Sequence, residues 1–231
     1  MNIDICLPEG NEKELIERAK QLGYSEVVFL YTFSSRKELQ EQKKKFPNQK
    51  IGVYIKAIKP NDLKKVEQFY LDADMIAVSA QDETVVRLAA DNPRIDLLFE
   101  VASASGKDSL HYRNSGMNNV IVNIAKKSKQ AYGLSFRYFL EHESYARAKI
   151  LGREMQNVQL SRRKNPIILA SFSRDIWQIR NPNDLQSIGK LLGLNSPQSK
   201  AGTSKVIQSI LKKKEHRRSK NYIQPGIRLV E

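Results

Sequence analysis

The chain has 231 residues, 40% of them hydrophobic, enough for one sizeable core, and its Lys+Arg 39 against Asp+Glu 25 give a net charge of +14. That excess points to a polyanionic partner, nucleic acid first, with a merely solvated basic surface as the plain alternative. One cysteine excludes a disulfide framework, and no apolar run approaches the ~20 residues of a membrane span, so a soluble, cytoplasmic protein without membrane contact is expected.

Short apolar runs alternate with helical spacing along the whole chain. Ile3 to Cys6 reads as a first strand, with Cys6 a small core residue, and Asn11 can cap a helix bearing Leu15, Ala19 and Leu22 that Gly23 ends. Val27 to Leu30 is the second strand; Ser34 or Ser35 opens a charged helix that stops before Pro47. Ile51 to Ile55 is the third, followed after Pro60 by a helix with Leu63, Val66 and Phe69 on one side. Met75 to Val78 is the fourth, and Asp82 starts a helix bearing Val85, Val86 and Leu88. Ile95 to Phe99 is the fifth; a Ser- and Gly-rich loop from Ala102 to Asn118 leads to a helix with Val120, Ile121 and Ile124. Tyr132 to Phe136 is the sixth, and a long helix follows with Ala148, Leu151, Met155 and Val158 at three-four-three spacing. The seventh, Ile167 to Ala170, runs into Ser171-Phe172-Ser173-Arg174, and Pro182 marks the next helix start.

This alternation predicts βαβ units and a parallel sheet. We read an α/β fold, a TIM-barrel-like (β/α) barrel incomplete or irregular at its last strand, over one domain of residues 1–231; a doubly wound open sheet is the runner-up. The tail from Gly226 to Val230 is a candidate eighth strand or added edge strand. Lys212-Lys213-Lys214 with Arg217-Arg218 reads as a basic tail segment, 212–231, mobile or touching RNA.

Barrel chemistry belongs at the carboxyl ends of strands. There the chain offers Cys6, Thr32, Lys56, Ser79, Glu100, Arg137 and the turn Ser171 to Arg174. Glu100 is a lone carboxylate, and Asp4 is the other one within an early strand. The three histidines, His111, His142 and His216, are scattered, and Ser171 and Ser173 have no evident base. No catalytic residue and no metal ligand set is assigned.

Cations are more informative. Lys126, Lys127 and Lys129 end one helix, and Arg162, Arg163 and Lys164 end another, where the helix dipole alone explains them as well as RNA contact does. Arg113, Arg137, Arg174 and Arg180 lie in or beside strand-end loops, where a planar fork suits phosphate and can stack on bases. Tyr112 and Trp177 lie next to two of them; Trp177 is read as a core plug under its loop, with a base platform as the alternative. Gly116 suits a turn and Asn118 a helix cap, so the RNA-binding set is Arg113, Asn118, Arg137, Arg174, Arg180, Lys126, Lys127, Arg162 and Arg163.

Two segments carry a resemblance. Arg113-Asn114-Ser115-Gly116-Met117-Asn118 leading into Ile124-Ala125-Lys126, and Trp177 to Leu185 ending Leu191-Leu192-Gly193-Leu194, resemble the two hallmarks of the thirty-kilodalton protein subunit of archaeal and eukaryotic ribonuclease P. Leu22-Gly23-Tyr24, Phe99-Glu100 and the ending Pro225 to Glu231 fit as well, the last favouring an archaeal member. The resemblance implies a TIM-barrel-like fold and a part in removing the 5′ leader of precursor tRNA, with magnesium-dependent cleavage done by the RNA subunit and no cofactor on the protein. It implies as partners the ribonuclease P RNA, precursor tRNA, a smaller ferredoxin-like subunit and other ribonuclease P proteins. The family turn after the seventh strand is usually Ser-Ser-Gly-Ala; here Phe172 and Arg174 replace small residues and the glycine is lost, which puts a backbone–phosphate contact there in doubt. Two competing readings are a metal-dependent phosphoesterase on a related barrel and a non-catalytic protein-binding barrel.

Overall fold

Seven parallel strands follow one another around the molecule in chain order in the computed structural model, which describes residues 1–103 and 107–218 and the backbone of two short strands beyond them. They are β1 (Ile3–Cys6), β2 (Glu26–Tyr31), β3 (Lys50–Lys56), β4 (Ile76–Ser79), β5 (Leu97–Phe99), β6 (Ala131–Ser135) and β7 (Ile167–Ala170). On the outside lie α1 (Glu12–Gln21), α2 (Arg36–Lys45), a 3-10 turn (Pro60–Lys64) running into α3 (Lys65–Phe69), α4 (Glu83–Asp91), α5 (Asn119–Lys127), α6 (Phe136–Leu140), α7 (Ser144–Ser161) and α8 (Pro182–Leu191). Side chains alternate across each strand. Ile3, Ile5, Val28, Leu30, Met75, Leu97, Phe99 and Ile168 fill the interior, while Val27, Phe29, Val53, Ile76, Leu98 and Leu169 meet the helices. The interior is narrow: a Cβ on Gly52 would lie 2.6 Å from both a Leu30 methyl and the Met75 carbonyl oxygen.

Among the described residues the barrel comes nearly closed without an eighth strand, leaving one seam with no strand ladder. Between β7 and β1, the Leu7 amide donates to the Ser173 carbonyl at 2.8 Å, and Cys6 and Ser173 form an isolated parallel bridge. Lower in this seam the Asp4 carboxylate stands in for ladder bonds, its Oδ1 accepting from the amides of Ser171 (2.7 Å) and Ile5 (2.9 Å). Burial pushes Asp4 up to about 6, against the pull of those amides. The seam's foot is filled by α9 (Ser196–Gly202) and α10 (Lys205–Arg217), where the Thr203 carbonyl accepts from the Ile3 amide at 3.0 Å.

Several expectations are corrected. Residues 227–228 are not an eighth or edge strand: β8 (Tyr222–Gln224) and β9 (Ile227–Arg228) pair antiparallel with each other, apart from the seven-stranded sheet, and Gly226, Leu229 and Val230 lie outside the described residues. The basic run 212–218 is the end of α10, which crosses the amino end of the barrel, puts Ile207 and Leu211 into the interior and pairs buried Lys214 with Asp96 at 2.9 Å. Arg217 bonds to the Tyr70 hydroxyl, and Arg218 to Asp74. Phe136 begins a helix rather than ending a strand, because Ser135 caps it. The stripe read on the long helix is half right: Val158 is buried and Leu151 packs on the core, but Ala148 and Met155 are exposed, and α7 also buries Arg153, Glu154 and Asn157, since it covers a loop whose polar groups need partners.

Candidate nucleic-acid interface

The carboxyl end of a barrel is where chemistry is expected, and here it is stoppered. Phe172 is wholly buried in the mouth and stacks on Phe99, ring centroids 4.6 Å apart and planes 14° from parallel. Over it lies Arg137, whose Nε donates to the Phe172 carbonyl at 2.9 Å and whose other nitrogens pair with Glu100 and Glu141. Burial pushes the Glu100 carboxyl up while Arg137 pulls it down. Glu100 and Phe172 both hold positive φ, +51° and +49°, a left-handed conformation that costs a non-glycine residue about 1–2 kcal/mol. Glu100 does not meet Asp4, which faces the seam. Among the described residues no three His, Cys, Asp or Glu side chains come together as a metal-holding group.

The rim around this stopper carries two ordered turns. The first leads into α5. Gly116, at φ +79°, lies so close to the Val101 carbonyl that a Cβ would sit 2.4 Å from its oxygen. Arg113 is exposed, yet its Nη1 donates to the Gly152 carbonyl at 2.7 Å, and its amide and carbonyl both bond the Gln156 side chain. Asn118 caps α5 through the Ile121 amide and donates to Glu83 at 2.8 Å, so both ends of its amide are occupied. A groove of about 430 Å³ runs between this turn and α7, lined by Glu83, Tyr112, Arg113, Asn118, Gln156 and Leu160. Beneath it Arg153, which sequence reading missed, is fully buried and donates from Nε (2.9 Å) and Nη2 (2.7 Å) to Asp108. A Gly-Arg-Glu run inside an amphipathic helix gave no signal for this, because the helix reads as well with the arginine outside.

The second turn joins β7 to α8. Its ends are fixed: the Arg180 amide donates to Ser171 Oγ (3.2 Å), the Tyr24 hydroxyl to the Arg180 carbonyl (2.8 Å), and Asn181 caps α8. The Arg180 guanidinium lies 5.0 Å above the Phe136 ring and donates from Nη1 to the carbonyls of Trp177 (2.6 Å) and Ile179 (3.0 Å). Arg174 is half-exposed, 3.6 Å from Glu9. Trp177 is 77% exposed, which overturns its reading as a core plug. The signal was present: Ile176 and buried Ile179 are three apart and anchor the turn, so Trp177 lies out of phase with them.

The nine residues assigned from sequence therefore do not form one band. Arg113, Asn118, Arg174 and Arg180 ring the carboxyl end. Arg137 is withdrawn from any surface, 2% exposed and paired on both sides, because the closed mouth needs a buried cation against Glu100. The helices run antiparallel to the strands, so Lys126, Lys127, Arg162 and Arg163 lie at the opposite, amino end. There Lys126, Lys127 and Arg163 are exposed, and Arg162 donates to the Gly193 carbonyl at 2.6 Å.

Comparison with known proteins agrees with this architecture. The chain is similar to ribonuclease P protein component 3 of Methanosarcina mazei, 26% identical over 240 residues (99% of this chain and 95% of that protein). It is likewise similar to ribonuclease P protein component 3 of Methanothermobacter thermautotrophicus, 26% identical over 226 residues (94% and 89%). Among solved structures, a chain of the cryo-EM structure of archaeal ribonuclease P with mature tRNA has the same fold, with a TM-score of 0.78 at 22% identity over 99% of this chain and 98% of that one. The family model described as RNase P subunit p30 matches residues 1–219, and the chain belongs to that family.

Proposed function

We propose that this chain is an RNA-binding protein subunit of ribonuclease P that supports the RNA subunit in endonucleolytic removal of the 5′ leader of precursor tRNA. The observation that carries the reading is a family match over residues 1–219 on a barrel whose mouth is filled by Phe172 and the Arg137–Glu100 pair while its rim is cationic. Rim cations meet phosphates, relieve the repulsion between RNA strands and lower the magnesium the RNA needs to hold its active shape. Cleavage and Mg2+ belong to the RNA in this reading, and the protein holds no cofactor. The smaller ferredoxin-like subunit and other ribonuclease P proteins are its protein partners, precursor tRNA its substrate contact, and the cytoplasm its location. Among the described residues no helix is long and apolar enough to cross a membrane.

Reconstitution tests it. Precursor tRNA processing by the ribonuclease P RNA, measured across a magnesium series with and without this chain and its partner subunit, should shift to lower magnesium when the chain is present. RNA affinity should fall steeply with salt, because neutralised phosphates release counterions. An unchanged magnesium requirement together with no RNA binding would overturn the proposal.

A further inference from the structure

We infer that Trp177 is a stacking platform for one unpaired nucleobase, with Arg174 and Arg180 placed to hold the phosphates on either side of it. The inference rests on the RNA-binding reading above and names a contact within it. Trp177 is the chain's only tryptophan and stands 77% exposed at the tip of the β7–α8 turn. It is the largest of the exposed apolar side chains among the described residues, and its ring offers a flat π-face of the size of a base.

The turn fixes the backbone on both sides of the residue that carries the indole. The Trp177 amide donates to Asp175 Oδ1 at 2.8 Å, and the Gln178 amide donates to the same oxygen at 3.1 Å. The Trp177 carbonyl accepts from Arg180, and the Arg174 amide donates to Gln178 Oε1 at 2.8 Å. With the backbone already ordered, a ligand does not have to fix it on binding.

The surroundings select the ligand. Arg180 is held by carbonyls and by the Phe136 ring, and among the described residues no carboxylate forms an ion pair with it. Its charge is therefore positioned and not neutralised. Arg174 faces Glu9 at 3.6 Å in an exposed pair, which competes weakly with a phosphate. Asp175 is occupied by the two amides, and Asp184 by the Asn181 cap. An apolar protein surface covering Trp177 would have to strip water from both guanidinium groups without replacing it. A single RNA strand supplies a flat π-face for the indole and anionic oxygens for the arginines.

Because the indole is unique, its fluorescence reports this site alone. The experiment titrates the full chain with a fluorescein-labelled single-stranded A12 RNA, following tryptophan emission and, separately, label anisotropy. A12 should quench the tryptophan in step with the anisotropy rise. Trp177→Ala should weaken binding about tenfold, the loss of one stacked base, without changing the salt slope. Trp177→Phe should recover most of that loss, and a 12-mer abasic at every position should bind wild type no better than A12 binds Trp177→Ala. Thermal melting of both variants should match wild type, since the indole is 77% exposed and buries little apolar area. Anisotropy binding without quenching, and with Trp177→Ala equal to wild type, would overturn the platform while leaving RNA binding intact. Failure of RNA to bind at all would overturn both. Shielding of the indole from acrylamide by the purified partner subunit but not by RNA would overturn the base assignment in favour of a protein contact.

Discussion

The two ends of the barrel are closed by opposite means. At the carboxyl end an aromatic stack, Phe172 on Phe99, sits beneath an ion pair, Arg137 with Glu100, and the closing residues come from the strand-end turns themselves. At the amino end a separate helix, α10, lies across the opening and brings its own buried cation, Lys214, to Asp96. Each closure thus buries a cation–carboxylate pair, and neither Arg137–Glu100 nor Lys214–Asp96 is open to a ligand. The charge left for a partner is on the periphery: rim turns at one end, last turns of helices at the other. The difference lies in how those peripheral cations are held. The rim arginines Arg113 and Arg180 are fixed by backbone carbonyls, whereas Lys126, Lys127 and Arg163 stand at exposed helix ends, where the dipole alone favours them.

The largest expected effect separates the two closures. Arg137→Met leaves Glu100 buried without its partner and should cost about 3–5 kcal/mol in urea unfolding. Lys214→Met should cost less, because the Asp96 oxygen it abandons still accepts from the Ile76 amide at 2.9 Å. A larger loss for the Lys214 variant would reverse the ranking of the two ends.

The next effect comes from the wall between them. Asp4, at about 6 in the folded protein, holds its proton more tightly than an unfolded chain does at ~3.9. Its contribution is complete below about pH 4 and is lost as pH rises through 6, on the order of 3 kcal/mol across that window. Glu154, buried against the Tyr132 hydroxyl and pushed to about 7, extends the same fall toward neutrality. Melting temperature should therefore drop between pH 4 and 7, and Asp4→Asn, which keeps the accepting oxygen, should flatten the part below pH 6. A wild-type profile rising across that range would refute the assignment.

The smallest effect on stability is the most telling for function. Arg174→Ala should change stability by no more than about 0.5 kcal/mol and lower the salt slope of RNA binding by about 1. The paired change Lys126→Ala with Lys127→Ala at the amino end should leave stability equally untouched and lower RNA affinity less. Filter binding across a salt series compares them; a greater loss from the lysine pair would move the interface to the amino end.

Most of the fold was legible in the sequence because strand and helix periodicities alternate cleanly and every barrel strand is a short apolar run. What failed did so for identifiable reasons. The apolar stripe of α7 was in part misplaced because Arg153, Glu154 and Asn157 are buried as hydrogen-bonding partners, which hydropathy scores as solvent-facing. Lys214 looked like part of a tail because a run of basic residues conceals the one that meets a buried carboxylate. Arg137 looked like a phosphate ligand because its partners, Glu100 and Glu141, are brought to it by β5 and by the next turn of its own helix. Sequence identifies the residues at a strand end; whether they point out or fold inward depends on what fills the mouth, and Phe172 decided that here.

The seam that Asp4 bridges has a consequence for how the molecule is made. Asp4 and Ser171 are 167 positions apart, and the foot of β1 waits for Thr203. During synthesis the first strand leaves the ribosome long before the segment that completes it, and each newly emerged strand is an open edge until the next one arrives. Ring closure is then a late, long-range event, slow relative to the local βα units that precede it, and the nascent chain is at its most adhesive just before the last helices appear.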